Sequence, residues 1–170
     1  MSNLLIDKEE LMKREIEFFK INRGGDITYH GPGQIMGYPI FDLDNFFTDI
    51  NLYLRKLEEV IINTLNSYNL TGFTINGETG VWVKDNNGLS KKICAFGIRA
   101  SRWVTMHGLC FNVNPDLTYF NHIIPCGIKN KGITSLQELK KEVIDINEVK
   151  LRLVENFKLV FNAEINFEIN

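Results

Sequence analysis

Ile93-Cys94-Ala95-Phe96-Gly97-Ile98, followed closely by Val104-Thr105-Met106-His107-Gly108-Leu109-Cys110-Phe111-Asn112-Val113, forms the β-rich centre of the chain. Working outward, residues 81–83, 72–75, 35–41 and 16–21 are further β-rich runs, several bounded by glycine, asparagine and aspartate. Asp85-Asn86-Asn87-Gly88 carries the signal of a hairpin turn. Helical spacing appears on both sides of this centre. Phe47, Ile50, Leu54, Leu57, Ile61 and Leu65 recur at steps of three and four, which predicts a helix capped near Asp44 and ending before Asn69. Val149, Leu153, Phe157, Val160 and Phe161 predict a second helix, and residues 8–13 a shorter one. Helices flanking a run of strands, without strict alternation, imply an α+β fold with a mixed β-sheet flanked by helices, or an antiparallel one. No repeat or linker interrupts the pattern, so residues 1–170 are expected to form a single domain.

With 170 residues, 44% of them hydrophobic and 24% charged, the chain can bury a substantial core. A formal net charge of −2 argues against a general nucleic-acid binder. No apolar run approaches the roughly 20 residues of a membrane span. The first ten residues resemble neither a signal peptide nor a transit peptide, so a cytoplasmic location is expected. The three cysteines, Cys94, Cys110 and Cys126, lie too far apart for a zinc motif, and no metal site is expected. Cys94 and Cys110 are flanked by apolar residues and read as small buried hydrophobes. Cys126, between Pro125 and Gly127, reads as a presented thiol.

The segment Arg23-Gly24-Gly25-Asp26-Ile27-Thr28-Tyr29-His30-Gly31-Pro32-Gly33-Gln34 is too rich in glycine for an ordinary strand unless a ligand or another backbone comes close. It lacks the spacing of a nucleotide-binding loop. His30 and His107 each read equally well as structural or site residues, and His122 as a surface or packing residue. A thiol needs a nearby cation or dipole to be thiolate at neutral pH, and Lys91-Lys92 leads into the apolar run that could supply one. Alternation puts these two lysines on opposite faces, and spacing alone does not choose between them.

Taken together, Arg23-Gly24-Gly25, Thr28-Tyr29-His30-Gly31-Pro32-Gly33-Gln34 and Tyr38-Pro39 resemble the signature of the lipoyl(octanoyl) transferases, the lipoate-protein ligase B family. The resemblance continues through Lys92-Ile93, Gly97, Arg99, Thr105, His107-Gly108, Asn112-Val113, Asp116-Leu117, Phe120 and Ile124-Pro125-Cys126-Gly127, over residues 3–165 in one colinear order. It implies the fold of the biotin and lipoate protein ligase catalytic domains. The activity it implies is transfer of an octanoyl or lipoyl group from acyl carrier protein to a lysine of lipoyl domains, including those of 2-oxoacid dehydrogenases and the glycine cleavage H protein, without a cofactor.

The same resemblance implies that Cys126 is the nucleophile that becomes the acyl-enzyme, and that Lys92 lowers its pKa and shuttles protons. It assigns the substrate site to Arg23, Gly24, Gly25, Asp26, Ile27, Thr28, Tyr29, His30, Ala95, Phe96, Gly97, Gly108, Leu109 and Cys110. Family members carry several dozen residues ahead of the region matching Asn3-Leu4-Leu5, with a strand near the acyl site. Lack of that strand would leave one sheet edge and part of the pocket open. Two alternatives follow: an inactive module that binds acyl carrier or lipoyl domains without turnover, and an ATP-dependent lipoate or biotin ligase sharing the fold. Residues 84–102 hold Lys84, Lys91, Lys92, Arg99 and Arg102 against Asp85, an excess that would steer acidic protein partners.

Overall fold

The computed structural model describes residues 3–124 and 132–166. After the short helix α1 (Lys8–Lys13) come β1 (Gln34–Gly37), α2 (Ile50–Asn66), β2 (Phe73–Ile75), β3 (Glu78–Lys84), β4 (Ser90–Ser101) and β5 (Val104–Asn112). The chain then runs through β6 (Gly132–Ile133), α3 (Leu136–Lys140) and α4 (Ile146–Phe161). The sheet order is β1-β5-β4-β3-β2, antiparallel throughout, with β6 parallel to β4, so the sheet is mixed as expected.

Alternation along these strands sorts side chains to two faces. Ile35, Val81, Val83, Phe96, Leu109 and Phe111 join Leu57, Ile61 and Leu65 of α2 and Val149, Leu153 and Phe161 of α4 in one buried core. The stripes at helical spacing are therefore core-facing. Tyr53 is buried in the same layer, and its hydroxyl donates to the Pro39 carbonyl at 2.7 Å, tying α2 to the chain beyond β1.

The hairpin turn forms as the sequence predicts. Asp85 Oδ1 accepts from the Asn87 and Leu89 amides, both at 2.9 Å, and joins β3 to β4. Two expectations need correction. The helix over α2 does not start at Asp44. Asp42 caps a separate single turn at Leu43–Asn45, and Asp49 caps α2 by accepting from Asn51 and Leu52. Phe47 thus packs on the core from outside the helix. Residues 16–21 form no strand: Phe18, Phe19 and Ile21 are exposed, and no strand is paired with them among the described residues. An apolar run without a neighbouring strand edge has nothing to satisfy its backbone as a ladder.

Candidate active site

β4 changes character at Ile93. From Cys94 to Ser101 it pairs regularly with β5. Opposite β3, however, Val81 pairs with Cys94 and the next residue, Trp82, pairs with Lys92. Ile93 is thus an extra residue, a β-bulge, and Ile93 and Cys94 both enter the core at 0% exposure. Uninterrupted alternation from Lys92 would have aimed Cys94 and Phe96 its way. The bulge instead puts Lys92 on the face of Ala95 and Gly97, where all three line one cleft.

Lys92 is 5% exposed. Its Nζ donates to the Thr79 carbonyl at 2.9 Å and lies 4.7 Å from the centre of the Trp82 ring. A side chain at position 80 would meet Lys92 Cε and the Cys94 carbonyl oxygen, each at 2.9 Å, and Gly80 has φ +135°. Glycine is required there both for its backbone and for the lysine stem that crosses it. Lys91 points the other way, towards Asp85 at 3.6 Å and Glu138 at 3.4 Å. With Lys92 buried and Lys91 faced by two carboxylates, the steering patch read from the sequence shrinks to Lys84, Arg99 and Arg102.

The glycine-rich segment lies against the same face of β4. A side chain at Gly97 would stand 2.6 Å from Arg23 Cδ and 2.9 Å from the Gly24 carbonyl oxygen, so close backbone approach is what the glycines permit. Arg23 folds back on its own loop, donating to the carbonyls of Gly24 at 2.9 Å and Asp26 at 2.5 Å. Asp26 accepts from the Ile27 amide at 2.7 Å and from the Asn3 side chain.

Of the residues assigned to the substrate site, Arg23, Gly25, Asp26, Ile27, Thr28 and His30 line the cleft from this segment. Ala95, Phe96 and Gly97 line it from β4, and Gly108, Leu109 and Cys110 from β5. Gly24 lines an adjoining cleft that also contains Lys92 and Thr79. Tyr29 lines neither of these clefts; it stacks on Tyr119 at 4.9 Å and meets Phe120 edge-on. Cys126, with Pro125 and Gly127, lies outside the described residues.

Burial pushes the Cys110 thiol up to about 12, with Arg23 opposing the shift, and holds Cys94 well above the ordinary thiol range. Both are protonated at neutral pH and poor nucleophiles. His30 is lowered from its ordinary value by burial first and by Arg23 second, which favours its neutral form. His107, with φ +63°, lines the cleft and contacts Asn22 Oδ1 through Nε2 at 3.1 Å.

Met36, Tyr38, Asn112, Phe120 and Ile133 also line the cleft but were not assigned to it from sequence. For Met36 and Tyr38, their alternation with the buried Ile35 was the available signal. Beneath Lys92, the buried Glu58 accepts from the Gly80 amide at 3.2 Å and pairs with Arg55 at 2.6 Å. Its signal was a carboxylate at helical spacing with Leu54, Ile61 and Leu65 on an otherwise apolar stripe. The cleft thus combines an apolar wall with a buried ammonium group at its floor. Among the described residues no three His, Cys, Asp or Glu side chains cluster as a metal site requires. No helix among them is long and apolar enough to cross a membrane.

The profile of the lipoyl protein ligase A/B catalytic domain matches residues 2–158. An octanoyltransferase of Christiangramia forsetii is 58% identical over 98% of this chain and 71% of its own length. One from Flavobacterium psychrophilum is 57% identical over 97% and 72%. In fold, the chain is similar to a bipartite lipoate protein ligase of Thermoplasma acidophilum, with a TM-score of 0.72 at 16% identity over 95% of this chain and 64% of the other. It is also similar to the biotin protein ligase of Aquifex aeolicus, with a TM-score of 0.57 at 19% identity over 76% and 53%.

Proposed function

The chain belongs to the lipoyl protein ligase A/B catalytic-domain family, and on that premise we infer that it is an octanoyltransferase, an acyltransferase of protein lipoylation. The donor is octanoyl-acyl carrier protein. The acceptors are lysines of lipoyl domains, those of 2-oxoacid dehydrogenases and of the glycine cleavage H protein, and the reaction takes place in the cytoplasm.

Transfer proceeds through Cys126. Its thiolate attacks the thioester carbonyl, a new carbon–sulfur bond forms, and the carrier thiol leaves with a proton. The acceptor amine then attacks the acyl-enzyme, loses a proton, and releases the Cys126 thiolate. A thioester is already activated, so no ATP enters. Lys92 as an ammonium stabilises the thiolate and supplies the proton to the departing thiol. As an amine, it takes the proton from the attacking lysine. The octanoyl chain buries about six methylenes, on the order of 5 kcal/mol, against the apolar side of the cleft, to which Ile27, Met36 and Ile133 contribute.

The observation that carries this reading is the buried Lys92 ammonium at the floor of an apolar cleft. Two further observations support it. The thiols of Cys94 and Cys110 are held protonated by burial, and Cys126 is the third of the three cysteines. The chain also returns to Lys92 seven residues after Cys126: Gly132 pairs with Lys91 and Ile133 with Lys92. The test is octanoyl transfer from acyl carrier protein to an unmodified lipoyl domain, followed by the mass of the acceptor. Acceptor octanoylation without ATP is expected. A requirement for ATP, or donor binding with an unmodified acceptor, would overturn the reading.

A further inference from the structure

Glu58 is a costly residue for its position. It sits 1% exposed on the core-facing side of α2, where an apolar residue would pack without loss of hydration. Burial raises its pKa above the ordinary carboxylate value. The influences that lower it are, in order, the Gly80 amide, Arg55 and Lys92. Arg55 Nη1 lies 2.6 Å from one carboxylate oxygen as an ion pair without hydrogen-bond geometry, and its charge favours the anion. The other oxygen accepts from Gly80 N–H at 3.2 Å.

That N–H and the Thr79 carbonyl belong to one peptide group, and the Thr79 carbonyl accepts from Lys92 Nζ at 2.9 Å. The peptide is trans, so its N–H and C=O point in opposite directions. A carboxylate at the N–H end draws the amide dipole towards itself and enriches the carbonyl oxygen in electron density. Hydrogen bonds in series polarise one another in this way. The carbonyl then holds the ammonium more firmly. Gly80 completes the arrangement, because a side chain there would strike the lysine stem.

We propose that Glu58 is a positioning residue for Lys92, acting through the Thr79–Gly80 peptide to hold the ammonium group at the floor of the cleft. This rests on Lys92 acting in transfer, as argued above. A purely structural staple between α2 and β3 would need only an acceptor for the Gly80 amide, which an uncharged amide side chain provides equally well. The groups around the bridge are Arg55 and Glu58 from α2, Glu78 and the Trp82 ring from β3, and Cys94 from β4. Arg23 and Asp26 face it from the glycine-rich segment.

The test uses the full chain, labelled with nitrogen-15. In the wild type, the Gly80 amide resonance reports ionisation of Glu58, and the Lys92 Nζ ammonium resonance reports its hydrogen bond. As pH falls and Glu58 is protonated, both resonances are expected to move on one titration curve. Movement of Gly80 with Lys92 unmoved would overturn the proposal without any variant having to fold. Glu58→Gln, which keeps an acceptor and removes the charge, is expected to lower kcat about tenfold, the scale of one charge-assisted hydrogen bond. KM for the octanoyl donor should stay unchanged while Lys92 Nζ exchanges faster with solvent. An unchanged kcat and an unchanged Lys92 resonance in E58Q would each overturn it. Coupled titration in a wild-type protein that transfers no octanoyl group would leave the positioning intact and overturn the functional reading instead.

Discussion

The two halves of β4 do different work with the same backbone. Beyond Ile93 the strand is regular: it pairs with β5 residue for residue, and its glycine at position 97 lets the Arg23–Gly24 backbone lie against it. Before Cys94 the strand is irregular. The bulge displaces its register against β3, and β6 takes the place beside Lys91 and Lys92 that β5 leaves. The regular half gives the cleft its shape. The irregular half gives it a charge, because only the shifted register aims Lys92 at the cleft while Cys94 stays in the core. Shape and charge should therefore be separable by mutation.

The largest effect belongs to the irregular half. Lys92→Ala is expected to lower kcat for octanoyl transfer by roughly 10²–10⁴, the range of a lost acid–base group, with the donor still bound. Wild-type kcat in a folded variant would end the separation. Gly80→Ala should come next. It places a methyl group against Lys92 Cε at a φ of +135°, and strain of that kind costs about 1–3 kcal/mol. A lower melting temperature and a fall in kcat exceeding any rise in KM are expected; a change in KM alone would contradict the account.

In the regular half, Gly97→Ala forces its methyl group towards the Gly24 carbonyl, 2.9 Å away, and Arg23 Cδ. Overpacking of this kind costs about 1–3 kcal/mol. KM for the octanoyl donor should rise about tenfold with kcat less affected, and a loss confined to kcat would erase the distinction between the halves. The smallest effect is at Cys110, whose thiol is pushed up to about 12 by burial. Because burial raises the value, the thiol stays protonated from neutral pH into mild alkali. Alkylation of the native protein at pH 8 should leave both Cys94 and Cys110 unmodified, as peptide mass mapping would show.

The sequence carries the regular half of this comparison better than the irregular one. The apolar steps from Ile50 to Leu65 and from Val149 to Phe161 report α2 and α4, because burial against a sheet demands that spacing. Strict alternation likewise separates Lys91 from Lys92. It fails one residue later: a bulge depends on the register of a partner strand, and nothing local to Ile93 announces it. Asp44 stood in for Asp49 as the helix cap because Phe47 continues the apolar spacing one step ahead of Ile50, and the sequence does not show that Phe47 packs on the core from outside the helix. Residues 16–21 have strand composition but no strand to pair with. Of the fourteen residues that the family resemblance assigns to the substrate site, thirteen line one or other cleft, as does Lys92. Tyr29 is the exception, spent on stacking against Tyr119. Glu58 was visible only as a charge on an apolar stripe, and its meaning needs the Thr79–Gly80 peptide between it and Lys92.

The central claim is that the buried ammonium of the irregular half serves a thiol that accepts the octanoyl group. It is tested most directly by mixing the protein with octanoyl-acyl carrier protein, quenching in acid, and mapping the adduct by peptide mass. The account predicts one octanoyl group on Cys126 in the wild type, formed far more slowly in Lys92→Ala. An adduct on Cys94 or Cys110, or equal acylation of Cys126 with and without Lys92, would contradict it.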